Sequence, residues 1–169
     1  RFEDALLPLE RAMDLARAQW GEHSELAVEA ELQYAWCLGR ALRHDEAREI
    51  LEEVLATAPD ERVDLRAYAR NRLGQAWWEI ANHRKDEGEP AGEEEARSKA
   101  GELWQETEAI LDGSEVELPA LSALNDLDLG IYYSTWRELE AGGGRAEIYL
   151  ERAYQGYLNH FGPFHPELI

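Results

Sequence analysis

The chain has 169 residues, of which 44% are hydrophobic and 9% aromatic, a composition typical of a folded globular protein. Its 36 acidic residues outnumber 17 basic ones, and the formal net charge of −19 repels phosphate backbones and anionic lipids. A single cysteine excludes an internal disulfide framework, and no apolar run is long enough to cross a bilayer. We therefore expect a soluble cytoplasmic protein that binds neither nucleic acid nor membranes.

The chain opens with a predicted helix over residues 1–20, and the pattern of this helix returns twice. The segment "ALLPLERAMDLARAQWGEHSEL" from Ala5 matches "AEIYLERAYQGYLNHFGPFHPEL" from Ala146 in the tripeptide Glu-Arg-Ala and in an aromatic-Gly pair followed by His. A third copy, "EAREILEEVLATAPDE", places Ala47 42 residues after Ala5. In each copy, small residues and a large apolar residue between them share one helical face. Each copy is therefore predicted to be a helix that packs closely on another helix.

A second kind of helix precedes these copies where the chain allows. The segments that start at Val28, Tyr68 and Ala123 each contain the pattern large-small-x-x-large. The three patterns are Tyr34-Ala35-Leu38, Leu73-Gly74-Trp77 and Leu129-Gly130-Tyr133. A small residue between large ones lets two antiparallel helices approach closely. The sequence therefore predicts an all-α chain of about seven helices, arranged as antiparallel helix-hairpin repeats, with no sheet.

We predict one domain made of successive repeats. The predicted segments are a partial repeat at 1–20, a repeat at 26–59, a repeat at 62–111 with an inter-helix insertion at 82–95, a repeat at 118–160, and a linker at 161–169. Glycine, proline and charged residues favour a solvated loop for the insertion. The chain begins without Met and ends in "HPELI", where a further helix is expected, so we interpret it as a segment of a longer protein.

These patterns resemble the tetratricopeptide repeat. The match is strong over residues 28–59, where Ala35 and Ala47 occupy the small positions of the two helices, Leu51 the bulky position and Pro59 the end. The long spacing and the linker "FGPFHPEL" are similar to the kinesin-light-chain type, whose units run to about 42 residues. The resemblance implies a right-handed α-solenoid. It also implies a non-catalytic protein-interaction scaffold that binds a peptide or partner segment on its concave face.

The resemblance further implies which residues line that concave face, because the first helix of each hairpin does so in such solenoids. The corresponding residues here are Gln33, Trp36, Arg40, Asn71, Arg72, Gln75, Trp78, Glu79 and Asp128. An aromatic side chain beside Arg, Asn and Gln can hold an extended peptide by stacking and by hydrogen bonds to its backbone. For Trp36 and Trp78, a groove position and a core position remain equally open.

A second interpretation makes the chain a regulatory or sensory segment of a multidomain signalling protein, such as a bacterial kinase, an NTPase switch or a transcription regulator. The solenoid would then hold a catalytic neighbour inactive through intramolecular contacts. A composition rich in Ala, Arg and Glu suits bacterial examples. Under either interpretation, the two ends are expected to expose apolar surface and either to associate end to end or to fray.

Motifs of catalysis and ligand binding are scarce in the sequence. It contains no P-loop, no G-x-S-x-G, no H-E-x-x-H and no cysteine cluster. The glycines at 142–144 follow a predicted helix rather than a strand, which favours a hairpin loop over a phosphate cradle. His160 and His165 have no third ligand nearby, and Cys37 falls at a buried helix position. We therefore predict no enzyme activity, no metal and no cofactor.

Overall fold

The chain folds into α-helices. A computed structural model describes residues 2–137 and 144–162 and shows, within these ranges, seven α-helices, one π-helical turn and no strand. The helices are α1 (Phe2–Trp20), α2 (Glu25–Arg40), α3 (His44–Thr57), α4 (Val63–Asp86), α5 (Pro90–Gly113), α6 (Pro119–Tyr132) and α7 (Gly144–Phe161), and the π-helical turn (Tyr133–Arg137) follows α6. The predicted all-α class is confirmed for this part of the chain. Within it, every helix is too short or too polar to cross a membrane.

Side chains and turn residues set the ends of the first helices. Ser24 caps α2, because its Oγ accepts a hydrogen bond from the backbone N–H of Ala27 at 3.3 Å. The turn between α2 and α3 holds Leu42 in the left-handed region, with φ of 63°. α3 ends at Thr57, and Ala58 is extended, as the residue before a proline prefers to be. Pro59, the predicted end of the repeat at 26–59, therefore lies two residues after the last residue of α3.

The inter-helix insertion predicted at 82–95 is wrong. α4 continues through Asp86 and α5 begins at Pro90, so that residues 87–89 alone connect the two helices. Gly88 adopts φ of +77°, the left-handed conformation that commonly terminates a helix. Pro90 is the first residue of α5, where its missing N–H has no intrahelical partner to lose. Glycine and proline here mark a tight helix-to-helix turn rather than a long loop.

The charged residues around this turn stabilise helix rather than loop. Glutamate, lysine, arginine and alanine are good helix formers. Two ion pairs with i,i+4 spacing support the start of α5, from Arg97 to Glu93 at 2.9 Å and from Lys99 to Glu95 at 2.8 Å. Both neighbouring helices therefore reach 24 residues.

Contacts divide the chain into two compact units, Arg1–Ala100 and Gly101–Ile169. In the first unit, α1 packs on α2, α2 on α3, and α3 on α4, while α2 also contacts α4. The buried apolar residues include Ala27, Val28, Ala35, Leu38, Ala47, Leu51 and Val54. Ala47 is only 1% exposed, which confirms its predicted burial against the preceding helix. Alternate helices α2 and α4 thus lie beside each other.

Helix α2 carries two buried polar groups. Arg17 of α1 donates a hydrogen bond from Nε to Oε1 of Glu31 at 2.8 Å, and the Glu31 side chain is almost fully buried. Cys37 is buried as well, and burial raises the pKa of its thiol. A raised pKa keeps a thiol protonated and poorly nucleophilic at neutral pH, in keeping with the predicted packing role.

In the second unit, α6 and α7 pack antiparallel through small residues. Gly130 lies against Leu150, and Gly156 lies against Ala123. Ala153 is buried, as predicted. The side-chain amide of Asn125 donates a hydrogen bond to the backbone carbonyl of Trp104 at 3.0 Å, which fixes α6 to the second half of α5. The predicted glycine-rich loop before α7 and the predicted linker, with His165, fall outside the described residues apart from their edges at Gly144, Phe161 and Gly162.

Candidate functional site

One row of side chains on α2 faces solvent. Gln33, Trp36 and Arg40 follow one another at steps of three and four residues, so they share one helical face. Gln33 and Arg40 are exposed, and Trp36 is half-buried. Leu38, on the opposite side of α2, packs in the same core cluster as Ala47 of α3. Trp36 also packs against this cluster, so that Gln33 and Arg40 are the open members of the row.

A matching row lies on α4. Tyr68, Arg72, Gln75 and Glu79 are spaced by four, three and four residues, and all four are exposed or half-buried. On the opposite side of α4, Trp77 is buried, with the guanidinium of Arg48 of α3 5.2 Å from the centroid of its indole ring. Tyr68, Arg72 and Gln75 therefore lie opposite the side of α4 that meets Arg48. Glu79 lies near the start of α3, since burial lowers the pKa of His44 and the charge of Glu79 opposes that shift.

Because α2 and α4 contact each other, the two rows lie on adjacent helices of the first unit and together form one candidate surface. We call this surface the α2–α4 face. Its residues are Gln33, Trp36, Arg40, Tyr68, Arg72, Gln75 and Glu79. Six of these seven residues were predicted from the sequence.

At the α2 side of this face, an aromatic residue of α1 contacts Trp36. The ring of Phe2 meets the Trp36 ring edge to face, with centroids 5.4 Å apart and planes at 86°. The guanidinium of Arg40 lies 5.2 Å from the centroid of the same Phe2 ring. The three side chains hold one another in place, while Arg40 keeps its donor groups exposed.

At the α4 side, Arg72 is held by two neutral neighbours. Its Nη1 donates to Oε1 of Gln75 at 2.7 Å, and its Nη2 donates to the hydroxyl of Tyr68 at 2.8 Å. Its guanidinium also lies 4.9 Å from the centroid of the Tyr68 ring. These contacts fix the guanidinium without neutralising its charge. The guanidinium is therefore an oriented, positively charged donor.

Three predicted binding residues lie elsewhere. Asn71 is fully buried and lies on the same flank of α4 as the buried Gly74. Asp128 of α6 is 9% exposed. Trp78 lies on the same flank as Asn71, and the guanidinium of Arg97 of α5 is 4.2 Å from its ring centroid. The prediction that Asn71 and Asp128 line an open surface is wrong, because both face inward. Trp78 takes a packing position between α4 and α5.

The sequence interpretation missed one member of the α2–α4 face, Tyr68, and one residue of α1 that contacts this face, Phe2. Tyr68 lies four residues before Arg72, and this spacing could have indicated a helical pair. Phe2 lies 34 residues before Trp36, and its contact depends on how α1 packs on α2, for which the sequence carries no local signal.

The α2–α4 face carries polar and apolar side chains next to one another. Two guanidinium groups and two side-chain amides supply hydrogen-bond donors, and Trp36 supplies an apolar surface. Within the described residues, no group of three or more His, Cys, Asp or Glu side chains is arranged to hold a metal ion. Comparison with known proteins gave no matching family model, no matching curated sequence and no matching solved structure.

Proposed function

We propose that this chain is a non-catalytic interaction module whose α2–α4 face binds a peptide or an extended segment of a partner protein. The observation that carries the proposal is the pair of rows on adjacent helices, which place a half-buried aromatic ring and two guanidinium groups, one exposed and one half-buried, on α2 and α4. Aromatic and arginine side chains are the residues that most often anchor protein interfaces.

The helix packing of the first unit supports the same proposal. In a tetratricopeptide solenoid, the first helices of successive hairpins lie side by side and line the concave surface. The contact between α2 and α4, with α3 packed against both, is the arrangement that such a solenoid requires of two successive repeats. The predicted right-handed superhelix and its concave groove remain part of the proposal.

The proposed binding mode uses the two clusters differently. Arg72 and Gln75 donate hydrogen bonds to backbone carbonyls of the bound segment. Trp36 packs on an apolar side chain of the same segment, two or more residues along the segment from those carbonyls. Because Arg72 is already oriented by Tyr68 and Gln75, little side-chain entropy is lost when it binds. Each anchor is expected to contribute roughly 1–3 kcal/mol to binding.

Selection from a random peptide library displayed on phage tests the proposal. Peptides enriched on the wild-type chain should bind Arg72→Ala and Trp36→Ala at least about fivefold more weakly. Matched controls are Arg11→Ala and Trp20→Ala, which remove the same residue types at exposed positions of α1. Both controls should bind like the wild type.

Two outcomes would overturn the proposal. Selected peptides that bind Arg72→Ala and Trp36→Ala as tightly as the wild type would place the site elsewhere. Equal losses with the α1 controls would show that no particular face is used. Circular dichroism of each variant establishes that the helices are retained, and Gln75→Ala provides a second test because it removes the acceptor that orients Arg72.

A further inference from the structure

In the second unit, one arginine joins α7 to both α5 and α6. Nη1 of Arg152 donates to Oε1 of Glu108 on α5 at 2.9 Å, and its Nη2 pairs with Oδ1 of Asp126 on α6 at 3.1 Å. The hydroxyl of Tyr149, also on α7, donates to the other oxygen of Glu108 at 2.7 Å. Four polar side chains from three helices thus form one connected cluster, which we call the Arg152 cluster.

Asp126 and its cationic partner differ in their access to water. The side chain of Asp126 is 8% exposed, whereas that of Arg152 is 45% exposed. A carboxylate taken out of water loses its solvation and needs full compensation from its partners. Asp126 has to obtain that compensation from a guanidinium that it shares with Glu108 and that is itself half in solvent.

The charges that face Asp126 do not supply this compensation. From α5, Glu108 and Asp112 both repel its negative charge, and from α7, Arg152 alone attracts it. Tyr149 is neutral and directs its proton to Glu108. Glu108 and Asp126 therefore share one guanidinium, and Asp112 adds a further negative charge near Asp126. The ionised cluster carries an excess of negative charge that loss of charge at Asp126 would relieve.

We propose that the Arg152 cluster makes the stability of the packed helices α5, α6 and α7 depend on pH, so that proton uptake by Asp126 in mildly acidic solution stabilises their packing. Protonation removes the buried charge and part of the repulsion from α5. Arg152 then pairs with Glu108 alone and still joins α7 to α5.

The direction of the effect follows from proton linkage. Burial is the main cause that raises the pKa of Asp126 to about 6 from its ordinary 3.8, and the charges of Glu108 and Asp112 raise it further against the attraction of Arg152. A carboxyl whose pKa is higher in the folded chain binds more protons there, so the unit gains stability as the pH falls through about 6 and loses it as the pH rises. Between pH 7.5 and pH 5 the folding equilibrium should change by about tenfold.

Proton release from Tyr149 or Arg152 does not contribute to this transition. Burial, with the hydrogen bond to Glu108, raises the pKa of Tyr149 well above its ordinary range. Burial lowers the pKa of Arg152, but the hydrogen bond to Glu108 and the nearby carboxylates outweigh burial and raise it. Both groups therefore keep their protons throughout the interval from pH 5 to pH 7.5.

The test is a titration of the full chain followed by carbon-13 NMR of side-chain carboxyl groups and by hydrogen exchange of α7 amides. We expect the Asp126 carboxyl to titrate near a pH of about 6. After correction for the intrinsic pH dependence of exchange, α7 amides should be about tenfold better protected at pH 5 than at pH 7.5. Asp126→Asn should abolish that difference and make the protection at pH 7.5 resemble that of the wild type at pH 5.

Matched variants separate this mechanism from a general charge effect. Glu102→Gln removes one negative charge from an exposed position of the same helix α5 and should leave the profile unchanged. Asp112→Asn should move the midpoint to lower pH, and Arg152→Met should move it to higher pH. An Asp126 carboxyl that titrates at its ordinary pKa, or a pH-dependent protection that survives Asp126→Asn, would overturn the proposal.

Discussion

Gly156 of α7 faces Ala123 of α6 so closely that a Cβ added at position 156 would lie 2.7 Å from the Cβ of Ala123. Alanine has no rotamer to which its methyl group can retreat, so the backbones of the two helices would have to separate. We expect Gly156→Ala to lower the free energy of unfolding by about 1–3 kcal/mol, after a small gain in helix propensity is taken into account.

Gly39 in α2 is the matched control for this substitution, because a Cβ there would meet no atom within 4 Å. Gly39→Ala should leave stability unchanged or raise it by up to about 1 kcal/mol. Urea unfolding of both variants measures the two effects. If the two substitutions gave equal stabilities, the close approach of α6 and α7 would be contradicted.

Ala47 of α3 offers the same kind of test in the first unit. It is 1% exposed, and Leu at this position should overpack the contact between α2 and α3 at a cost of about 1–3 kcal/mol. Ala56→Leu, at an exposed position of the same helix, is the control and should change stability by less than about 0.5 kcal/mol. A stable Ala47→Leu variant would show that the repeat pattern is assigned in the wrong register.

The ion pair between the partly exposed Arg17 and the buried Glu31 predicts that loss of Arg17 lowers stability in a pH-dependent way. The substitution Arg17→Met leaves the buried carboxylate of Glu31 without its partner. Because Arg17 is itself partly exposed, we expect the free energy of unfolding at pH 7 to fall by about 2–3 kcal/mol. Burial already raises the pKa of Glu31, and the hydrogen bond and charge of Arg17 lower it. Without Arg17 the pKa of Glu31 should rise further.

The direction in which the stability of Arg17→Met changes with pH follows from this higher pKa of Glu31. The variant should regain stability as the pH falls from 7 toward 5, because the folded chain then holds a proton on Glu31 that the unfolded chain does not. Thermal unfolding at several pH values measures the effect. The double variant Arg17→Met, Glu31→Leu should recover most of the loss at pH 7, and a double variant as unstable as the single one would show that the pair is not the cause.

The exposed apolar side chains of α7 predict self-association. Tyr154 and Phe161 lie on one flank of the helix and are both 46% exposed. We expect the apparent mass in light scattering to rise with protein concentration and to fall back when both residues are changed to Gln. Ile148→Gln, at an exposed position on the opposite side of α7, should have little effect. A wild-type chain that stays monomeric at high concentration would contradict this expectation.

The helix hairpins were predictable because their signal is local. Ala47, Gly130 and Ala153 lie at small positions within a few residues of the large ones they accompany, and all three are buried as predicted. The turn between α4 and α5 was not predictable in the same way. A charged stretch rich in Gly and Pro is compatible with a long loop as well as with a tight turn. The tight turn becomes evident only from the structure, in the ion pairs of α5 and the positive φ of Gly88.

The candidate site was predicted only in part because its details depend on helix phase and on distant contacts. Asn71 and Arg72 are adjacent in sequence, yet a rotation of about 100° buries the first and leaves the second on the surface. The contact of Phe2 with Trp36 depends on the placement of α1 against α2. Residue spacing locates a face of a helix, but packing decides which of its edges remain open.

The most direct measurement of the proposed function is NMR mapping of a peptide selected on the wild-type chain. Backbone amides, the indole N–H of Trp36 and the guanidinium Nε–H of Arg72 report on the α2–α4 face, and the exposed residues of α1 and α3 serve as internal references. We predict that chemical-shift changes concentrate on the exposed rows of α2 and α4 and include the Trp36 and Arg72 side-chain signals. Changes confined to α1, α3 or α7, with the Trp36 and Arg72 signals unmoved at saturation, would contradict the account.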